Sequence, residues 1–461
     1  MERERIAQPE PEQAPATATP AAPALVPAGA PALSMGTILS LQRGAGNAAV
    51  AGMLARQAVP ADAGPVDAGP LPAGGSPAPT PEEEIAEFRK KPFPPQADFH
   101  PSSGIGQFDA GLDAARGALT ITLKVAYNFV DGSGPKAKGF RADELKWKPE
   151  EQAEWKTQYQ TSVSAQWSAP ITMKSTKPGW DAVTVTTKVV VAEDAGDPHF
   201  ILTVAKYPKD APMVQSSICP PGTHHDGNAC LPNDPTTAGG SAAPHGTAEF
   251  DSNDLRPESK LDWGNAATAV PFASGKFELD AAGTAALQPM IDQAKANPAA
   301  RVLIRGRAST TPPHGKSADE AEIANMDIAR QRSASVQAAL VAGGVSAANI
   351  QAINSGQRGA GPGKEWRRVD VQLATQQTQD VGVHETGHML GLGDEYLEAG
   401  EAAGAPVEAG YGAMVQTQTG APVTKANDAS AMSMGSTVRP AHFSSFLEAL
   451  KRVSGMQEWS L

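Results

Sequence analysis

The string HETGH at residues 384–388 constrains this chain more than any other feature of its sequence. On a helix, residues four apart lie on one face, so His384 and His388 can both direct an imidazole at one metal ion. Glu385 then lies beside the metal. Zinc lowers the pKa of a water to about 7, and a carboxylate can take its proton. The spacing therefore predicts a Zn²⁺-binding helix in an enzyme that hydrolyses peptide bonds of a peptide or protein substrate.

Two residues beyond this string extend the pattern. Gly391 follows His388 where a helix can end in left-handed geometry, and Asp394 is then placed to supply a third ligand. The full pattern, HExxHxxGxxD, resembles the active site of the metzincin peptidases in the form in which Asp replaces a third His. The resemblance implies a metzincin-like peptidase domain with zinc held by His384, His388 and Asp394. Within the sequence GLGDEY, Glu395 is an alternative third ligand.

A second match to the same family lies near the C-terminus. Residues 430–435, SAMSMG, fit the SxMxxG methionine turn that lies beneath zinc in metzincins, which implies that role for Met432. Many metzincins carry a Tyr two residues after this Met, where this chain has Met434. Candidates for the missing oxyanion donor, or for an alternative ligand, are Tyr396, Tyr411 and His442.

Residues 251–375 resemble the OmpA-like domain, an α/β sandwich that binds peptidoglycan in relatives. The family pattern NxxLSxxRAxxV matches at Asn325, Arg332 and Val336. The resemblance implies that Arg332 and Asn325 contact peptidoglycan, with the arginine making a charge-assisted bond to a carboxylate. Ser309 stands where relatives have the Asp that binds the amine, so a scaffold that does not bind the wall is the alternative.

The N-terminal region suggests how the protein is delivered. Residues 41–50, LQRGAGNAAV, resemble the LQRxxGNxAV segment of bacterial extracellular contractile injection system proteins, which implies that the chain is a cargo of such a system. The first residues lack the apolar core of a secretory signal peptide, and no apolar run is long enough for a transmembrane segment. We expect a leaderless bacterial protein that is released or injected, with association with the cell envelope as the alternative.

The net charge and the two cysteines bear on the possible partners and on a possible second metal site. The net charge of −12 argues against nucleic acid as a partner. Cys219 and Cys230 lie close together in a Gly/Pro-rich stretch. They can form a disulfide, remain as thiols in a surface loop, or join His224 and His225 in a metal site, although this spacing matches no common zinc pattern.

The 45 Gly and 40 Pro residues gather in a few tracts, which predicts folded units joined by linkers. We expect an α+β multidomain chain in which an OmpA-like sandwich splits a metzincin-like domain. The predicted parts are a disordered Pro/Ala-rich N-terminus at 1–34, a short helical segment at 35–57, a linker at 58–95, a β-rich part of the peptidase at 96–210, a Cys-containing loop and linker at 211–250, the OmpA-like domain at 251–375, and the catalytic part at 376–461.

Hydrophobic periodicity places the main elements. Alternating apolar residues between Leu119 and Phe129 predict a half-buried strand. Further strands are predicted at Val163–Met173, Val183–Val191, Phe200–Tyr207, Arg301–Gly306, Ile350–Asn354 and Arg368–Leu373, and helices at Pro149–Tyr159, Ala281–Ala296, Ala321–Ala342 and Phe443–Val453. Since 376–461 is too short to supply a sheet and a backing helix, we expect strands of 118–207 to lie against the HExxH helix.

Overall fold

The computed structural model describes residues 79–461 apart from 169–170, 213–215, 227–228, 233–244, 256, 259–267, 299, 313–314, 375–378 and 399. The chain divides into two units, Met1–Pro77 and Ala78–Leu461. The predictions for 1–34, 35–57 and most of 58–95 lie outside the described residues. All of the helices and strands given below belong to the second unit.

A nine-stranded mixed sheet forms the centre of this unit. Its members are β1 (Gln96–Phe99), β2 (Phe108–Asp113), β3 (Ala118–Val130), β4 (Thr172–Ser175), β5 (Thr184–Glu193), β6 (Phe200–Ala205), β7 (Ser217–Cys219), β10 (Gly246–Asp251) and β17 (Trp459–Ser460). The path is β17-β4-β5-β3-β6-β10-β7, with β2 on β3 and β1 on β2. Strands β5, β3, β6 and β10 run parallel, and β7 is antiparallel to β10 at one edge.

The long strand β3 confirms the prediction of alternating burial. Leu119, Ile121, Leu123 and Val125 are fully buried, and the residues between them are partly exposed. Such alternation is expected where successive side chains point to opposite faces of a sheet. The strand thereby fixes one face of the sheet as the wall of a hydrophobic core.

Two short helices and one long helix complete the N-terminal part, and here two predictions were wrong. Helix α1 (Pro81–Lys90) lies in the stretch 58–95 that was predicted to be a linker, and a capping box between Thr80 and Glu83 fixes its start. Helix α2 (Pro149–Trp167) runs through half of the predicted strand Val163–Met173. Its buried residues Trp155, Tyr159, Val163 and Trp167 are four apart, which is the helical spacing. A short helix, Gly134–Ala137, precedes α2.

The stretch 211–250, predicted as loop and linker, carries four strands. Strands β7 and β10 extend the main sheet, and β8 (Thr223–Asp226) pairs with β9 (Ala229–Pro232) as a hairpin. Strands β7, β8 and β9 are only three or four residues long, too short to show an alternation, whereas β10 alternates in burial although it falls in the predicted linker. The sheet therefore continues well beyond the predicted end of the β-rich part.

The OmpA-like segment has its own sheet and core. Its elements are β12 (Thr268–Pro271), α3 (Ala281–Ala296), β13 (Arg301–Arg307), α4 (Ala318–Ala342), β14 (Ile350–Gly356) and β15 (Arg368–Ala374), with strand order β12-β15-β13-β14. Leu287, Val302, Val336 and Val371 are fully buried between the helices and the sheet. The predicted helices and strands of this segment are confirmed, with ends that differ by a few residues.

The two parts of the chain that flank this segment share one hydrophobic core. It combines buried residues of 88–255 with buried residues of 383–459. The C-terminal part consists of α5 (Val381–Met389), α6 (Ala409–Thr419), α7 (Ser444–Ser454) and β17. The two ends of the excursion meet where β11 (Pro257–Glu258) pairs with β16 (Gln379–Asp380).

The contact between the β-rich part and α5 differs in detail from the expectation. Helix α2, rather than the strands of 118–207, packs directly on α5, and strand β7 also contacts it. Tyr159 and Trp167 of α2 reach α5 through hydrogen bonds to the Thr386 hydroxyl and the Val383 carbonyl. The sheet thus supports α5 through α2, because long side chains on one helix can fill the space to the next.

Charged residues hold the OmpA-like segment against the main core. Arg330 on α4 bonds Asp210 at 2.6 Å and 3.0 Å and lies 2.8 Å from Glu144, while Arg141 bonds Asp327 at 2.6 Å. A small apolar cluster lies beside these pairs, formed by Phe140, Leu145, Tyr207, Ala211 and Met326. Among the described residues, no helix has the length and apolar character needed to cross a bilayer.

Candidate metal centre

Helix α5 begins and ends where the sequence requires. Asp380 caps its start, accepting a hydrogen bond from the Val383 N–H at 3.0 Å. Gly391 has φ of 94°, the left-handed geometry that turns the chain back after the helix. A Cβ at this position would also lie 2.7 Å from Pro101, so the turn needs glycine for both conformation and space.

The turn after α5 brings three ligand atoms together. Oδ1 of Asp394 lies 3.1 Å from Nε2 of His384 and 3.4 Å from Nε2 of His388. All three candidate ligand atoms lie within 4.8 Å of one another. The residues that the sequence places 4 and 6 positions apart therefore converge on one point, which is the geometry that a metal ion requires.

The outer nitrogens of both imidazoles have partners of their own. Nδ1 of His388 lies 2.8 Å from the Leu392 carbonyl, and Nδ1 of His384 lies 2.9 Å from the Ala431 carbonyl. His388, by donating Nδ1–H to a carbonyl, presents the lone pair of Nε2 to a metal, and His384 does the same in the tautomer in which its Nδ1–H donates to Ala431 rather than accepting from the amide of Gln379. These backbone contacts fix which nitrogen faces Asp394.

Gln379 is a site residue that the sequence reasoning missed. Its side-chain nitrogen lies 2.7 Å from Nδ1 of His384 and donates to the Ser433 carbonyl at 2.7 Å. It is 2 % exposed and lies on the two-residue strand β16, just before α5. No motif marks it, because its role depends on the Met432 turn, which is remote in sequence.

The electrostatics of the three candidate ligands favour a cation. Burial raises the pKa of Asp394, but the imidazoles of His388 and His384 outweigh burial and hold that pKa well below its usual range. Burial lowers the pKa of His388, but Asp394 and Glu385 outweigh it and raise that pKa to about 10. The carboxylates therefore create a negative potential at Nε2, the atom that would bind a metal.

The structure places Glu395 in a separate buried network, away from the histidine pair. Its Oε1 accepts a hydrogen bond from the Tyr411 hydroxyl at 2.8 Å and lies 3.2 Å from Nε2 of His442, and Ser430 bonds its other oxygen. Tyr411 and His442 thus share this network with Glu395 and do not line the cleft that contains Glu385. The three candidates therefore lie in one buried network outside the lining of the cleft.

Met432 lies directly under α5. Its side chain is fully buried, and a Cβ at Gly387 would clash with its sulfur and lie 3.0 Å from Trp167, so glycine allows the close packing of this turn on the helix. The Glu395 N–H donates to the Met432 carbonyl at 2.7 Å. The buried network and the turn that contains Met432 are therefore one connected structure.

A cleft of about 260 Å³ opens above the three candidate ligands. Glu385 and Tyr396 line it, and the Tyr396 ring lies 6.2 Å from the His384 ring. The walls are formed by Ile105, Gly106, Ser216, Ser217, Ile218, Pro220 and Glu408. Edge strand β7 thus forms one side of the cleft, and the segment before α6 forms part of its rim.

The two cysteines form a disulfide beside this cleft. Cys219 ends β7 and is bonded to Cys230 on the β8–β9 hairpin, which excludes the alternative of a metal site that uses both thiolates. The bond ties the edge strand of the cleft to the hairpin behind it. This tie restricts the freedom of a wall that pairs with β10 and contacts α5.

A second group of potential ligands lies outside the lining of the cleft. Asp98, Asp109 and His199 also bring ligand atoms together. Lys124 occupies this place: its ammonium lies 3.6 Å from Asp109 and 3.7 Å from Asp98, and its backbone N–H donates to Nδ1 of His199 at 3.0 Å. We assign the group a structural role, because the lysine already supplies the positive charge.

The candidate wall-binding residues lie together in the OmpA-like segment. Asn325, Arg332 and Ser309 line a cavity of about 230 Å³. Arg332 is 2 % exposed and donates to the backbone carbonyls of Lys276, Arg307 and Ala273. Burial, together with Arg367, lowers the pKa of Arg332 to about 10. This arginine therefore supports the loops around the cavity as well as lining it.

Comparison with known proteins identifies the segment that contains Asn325 and Arg332. Residues 271–364 match the model of the OmpA family, so this segment is an OmpA-like domain. Its core begins near Val270, whereas Phe250 and Leu255 pack in the main core, so the predicted boundary at 251 was too early. No curated protein matches the chain.

Solved structures that resemble the chain cover about a quarter of it. One is the peptidoglycan-associated lipoprotein of Burkholderia pseudomallei, with 24 % identity, 23 % of this chain and 89 % of that chain covered, and a TM-score of 0.20. The OmpA-like domain of FopA1 from Francisella tularensis is 19 % identical, and the match covers 27 % of this chain and 87 % of that chain with a TM-score of 0.21. The C-terminal domain of Helicobacter pylori MotB is 14 % identical, and the match covers 25 % of this chain and 86 % of that chain with a TM-score of 0.20.

Proposed function

We propose that this protein is a zinc-dependent metallopeptidase in which His384, His388 and Asp394 hold the metal and Glu385 handles the proton of the attacking water. The observation that carries the proposal is the convergence of the two Nε2 atoms on one Asp394 oxygen, at 3.1 Å and 3.4 Å. The HExxHxxGxxD and SxMxxG resemblance to metzincins supports the same assignment.

The residues fit a zinc ion in number, chemistry and spacing. Zinc sites in enzymes use three protein ligands of the N, O or S type, at about 2.0–2.2 Å from the ion. Two ligand atoms of a tetrahedral site are then roughly 3.3 Å apart. The two distances to Asp394 match this separation, and the carbonyls of Leu392 and Ala431 orient the rings as expected for outer partners.

Each residue of the cleft has a distinct task in the proposed reaction. Bound zinc supplies Lewis acidity and lowers the pKa of water. Glu385 accepts the proton of the water and passes it to the leaving amine, which general acid–base catalysis requires of a group within reach of both. Tyr396, which lines the cleft, is the candidate donor to the developing oxyanion.

The test separates metal binding from proton transfer. The full-length chain and Glu385→Ala are purified, their zinc content is measured, and cleavage of a mixed peptide library is followed by mass spectrometry. We expect one equivalent of zinc in both and cleavage by the wild type alone, with at least about a 100-fold loss in the variant. Full activity in Glu385→Ala, or a wild type that binds no zinc, would refute the proposal. Glu154→Gln, an exposed acid on α2, is the control.

The OmpA family match favours a second candidate function for the other region. We propose that the OmpA-like domain associates with the bacterial cell wall, and a wall-binding or structural protein with a non-catalytic metal site is the alternative to the peptidase. The cavity lined by Asn325, Ser309 and Arg332 is the candidate contact. Co-sedimentation of the full chain with purified sacculi tests this function without reference to proteolysis.

The proposed location follows from the N-terminal resemblance. We propose that residues 41–50 load the chain onto a contractile injection system, which then releases or injects it; a cell-envelope location is the alternative. Deleting residues 35–57 should abolish co-purification with the particle while leaving peptide cleavage intact. Retained co-purification would remove the segment from the loading role.

A further inference from the structure

Glu408 is an acidic residue of the cleft that the proposed reaction does not use. It lies immediately before α6, and it lines the same cavity as Glu385 and His388. Although it is the N-cap residue of α6, its side chain makes no capping hydrogen bond. The residue is exposed, so it can meet a ligand without first leaving that cap.

The charges around the cleft make this carboxylate significant. The lining contains three carboxylates, Glu385, Asp394 and Glu408, and neither lysine nor arginine among the described residues. In the proposed function Asp394 binds the metal and Glu385 exchanges the proton. Glu408 is then the lining carboxylate that remains available to bind the substrate, and its negative charge attracts a cationic group.

The uncharged part of the lining suits the stem of a long basic side chain. Ile105, Ile218 and Pro220 supply apolar surface within the same cavity. Lysine and arginine bury their aliphatic stems along apolar surface while the charged end reaches a polar partner. A cavity that combines an exposed carboxylate with apolar lining residues therefore matches these two side chains better than short polar or acidic ones.

We propose that Glu408 is a specificity-determining residue that selects substrates with a lysine or arginine beside the scissile bond. The inference rests on the proposed peptidase function and adds a substrate class to it. A rim carboxylate is partly screened by water and salt, so the expected preference is moderate, about 2- to 5-fold, and weakens at high ionic strength.

The experiment uses the zinc-loaded full chain and a matched set of fluorogenic peptides. The peptides share one sequence and differ at a single position, which carries Lys, Arg, Gln or Glu in turn on either side of the cleaved bond. The measured quantity is the ratio of kcat/KM for basic and neutral peptides. We expect the wild type to favour the basic peptides, Glu408→Gln to lose about 2- to 5-fold in this ratio, and Glu408→Lys to favour the acidic peptide.

Controls keep a general loss of folding apart from a change of specificity. Glu154→Gln removes one exposed acid outside the cleft and should leave the ratio unchanged. Cleavage by the wild type without a basic preference, or a ratio that Glu408→Gln leaves intact, overturns the inference alone. Failure of the wild type to cleave any peptide while zinc is bound overturns the proposed function and this inference with it.

Discussion

The hydroxyl of Tyr159 lies 2.8 Å from the hydroxyl of Thr386, in a fully buried contact between α2 and the HExxH helix. Thr386 donates its own proton to the Gly382 carbonyl at 2.7 Å, so Tyr159 is the donor of the pair. A helix that precedes the OmpA-like domain is thus bonded to the helix that follows it.

We expect Tyr159→Phe to lower the free energy of unfolding by about 1 kcal/mol, since it removes one buried hydrogen bond and leaves the ring in place. Thr386→Val should cost a similar amount. In a double-mutant cycle followed by chemical denaturation, the double variant should lose less than the sum of the single losses. Strict additivity would show that the two hydroxyls do not interact.

Asp394 and Glu395 are neighbours in sequence, but we expect their replacement to change different properties: zinc affinity for Asp394 and stability for Glu395. Asp394→Ala should weaken zinc binding by more than about 100-fold, which exceeds the loss of affinity expected when a residue that does not itself bind the metal is replaced. Glu395→Ala should instead lower the free energy of unfolding by about 2 kcal/mol, because it leaves Tyr411 and His442 without their buried acceptor. Zinc titration and thermal unfolding of both variants measure the two effects, and the reverse order of zinc affinities would make Glu395 the ligand.

Gln379 provides a test of the outer shell of the site. Gln379→Leu removes the amide between His384 and the Ser433 carbonyl, so we expect zinc affinity to fall by about 10- to 100-fold. Gln416→Leu, at an exposed position of α6, is the matched control. Competition with a chelator measures the affinity. Equal affinities in the two variants would leave Gln379 without a role at the metal.

The contact between Asp210 and Arg330 predicts a dependence on pH. Burial raises the pKa of Asp210, but bonds from Arg330 outweigh burial and lower that pKa below 3.8. A lowered folded-state pKa contributes stability above the unfolded pKa that is lost as pH falls through the folded value. We expect Asp210→Asn to lose about 2 kcal/mol at pH 7 and to lose less further stability than the wild type below about pH 4. Parallel acid dependences of thermal unfolding would argue against this contact.

Ser309 tests whether the OmpA-like cavity can be returned to the pattern of its relatives. Ser309→Asp restores the acid that binds an amine there, so we expect a severalfold gain in the fraction of protein that sediments with sacculi. Thr311→Asp, on the same cavity lining, is the control for added charge. A gain in both variants would point to non-specific attraction, and no gain in Ser309→Asp would favour the docking scaffold.

The parts of the structure that the sequence predicted are those with local signals. Helix α3, helix α4 and strand β3 show clear periodicity, and the spacing from His384 to Asp394 is set within one helix and one turn. The parts it missed depend on remote neighbours. Val163 and Trp167 continue α2 because they pack in the core shared with α5. Gln379 contacts His384 directly, but it is held there by the carbonyl of Ser433, in a turn more than fifty residues away. Short strands such as β7 form because β10 offers an edge, which no local pattern reveals.

The shared core has a consequence for the order in which the chain folds during synthesis. Residues 88–255 cannot bury their apolar surface fully until 383–459 have left the ribosome, because β17 and α5 complete the same core. At about 5–20 residues per second, the roughly 200 residues from 256 to 459 take about 10–40 s to make. The OmpA-like domain has its whole core within one continuous stretch and can fold during this delay. The cleft, whose lining extends to Glu408, is therefore completed only after the OmpA-like domain has been synthesised, and β17 adds the last strand to the sheet after that.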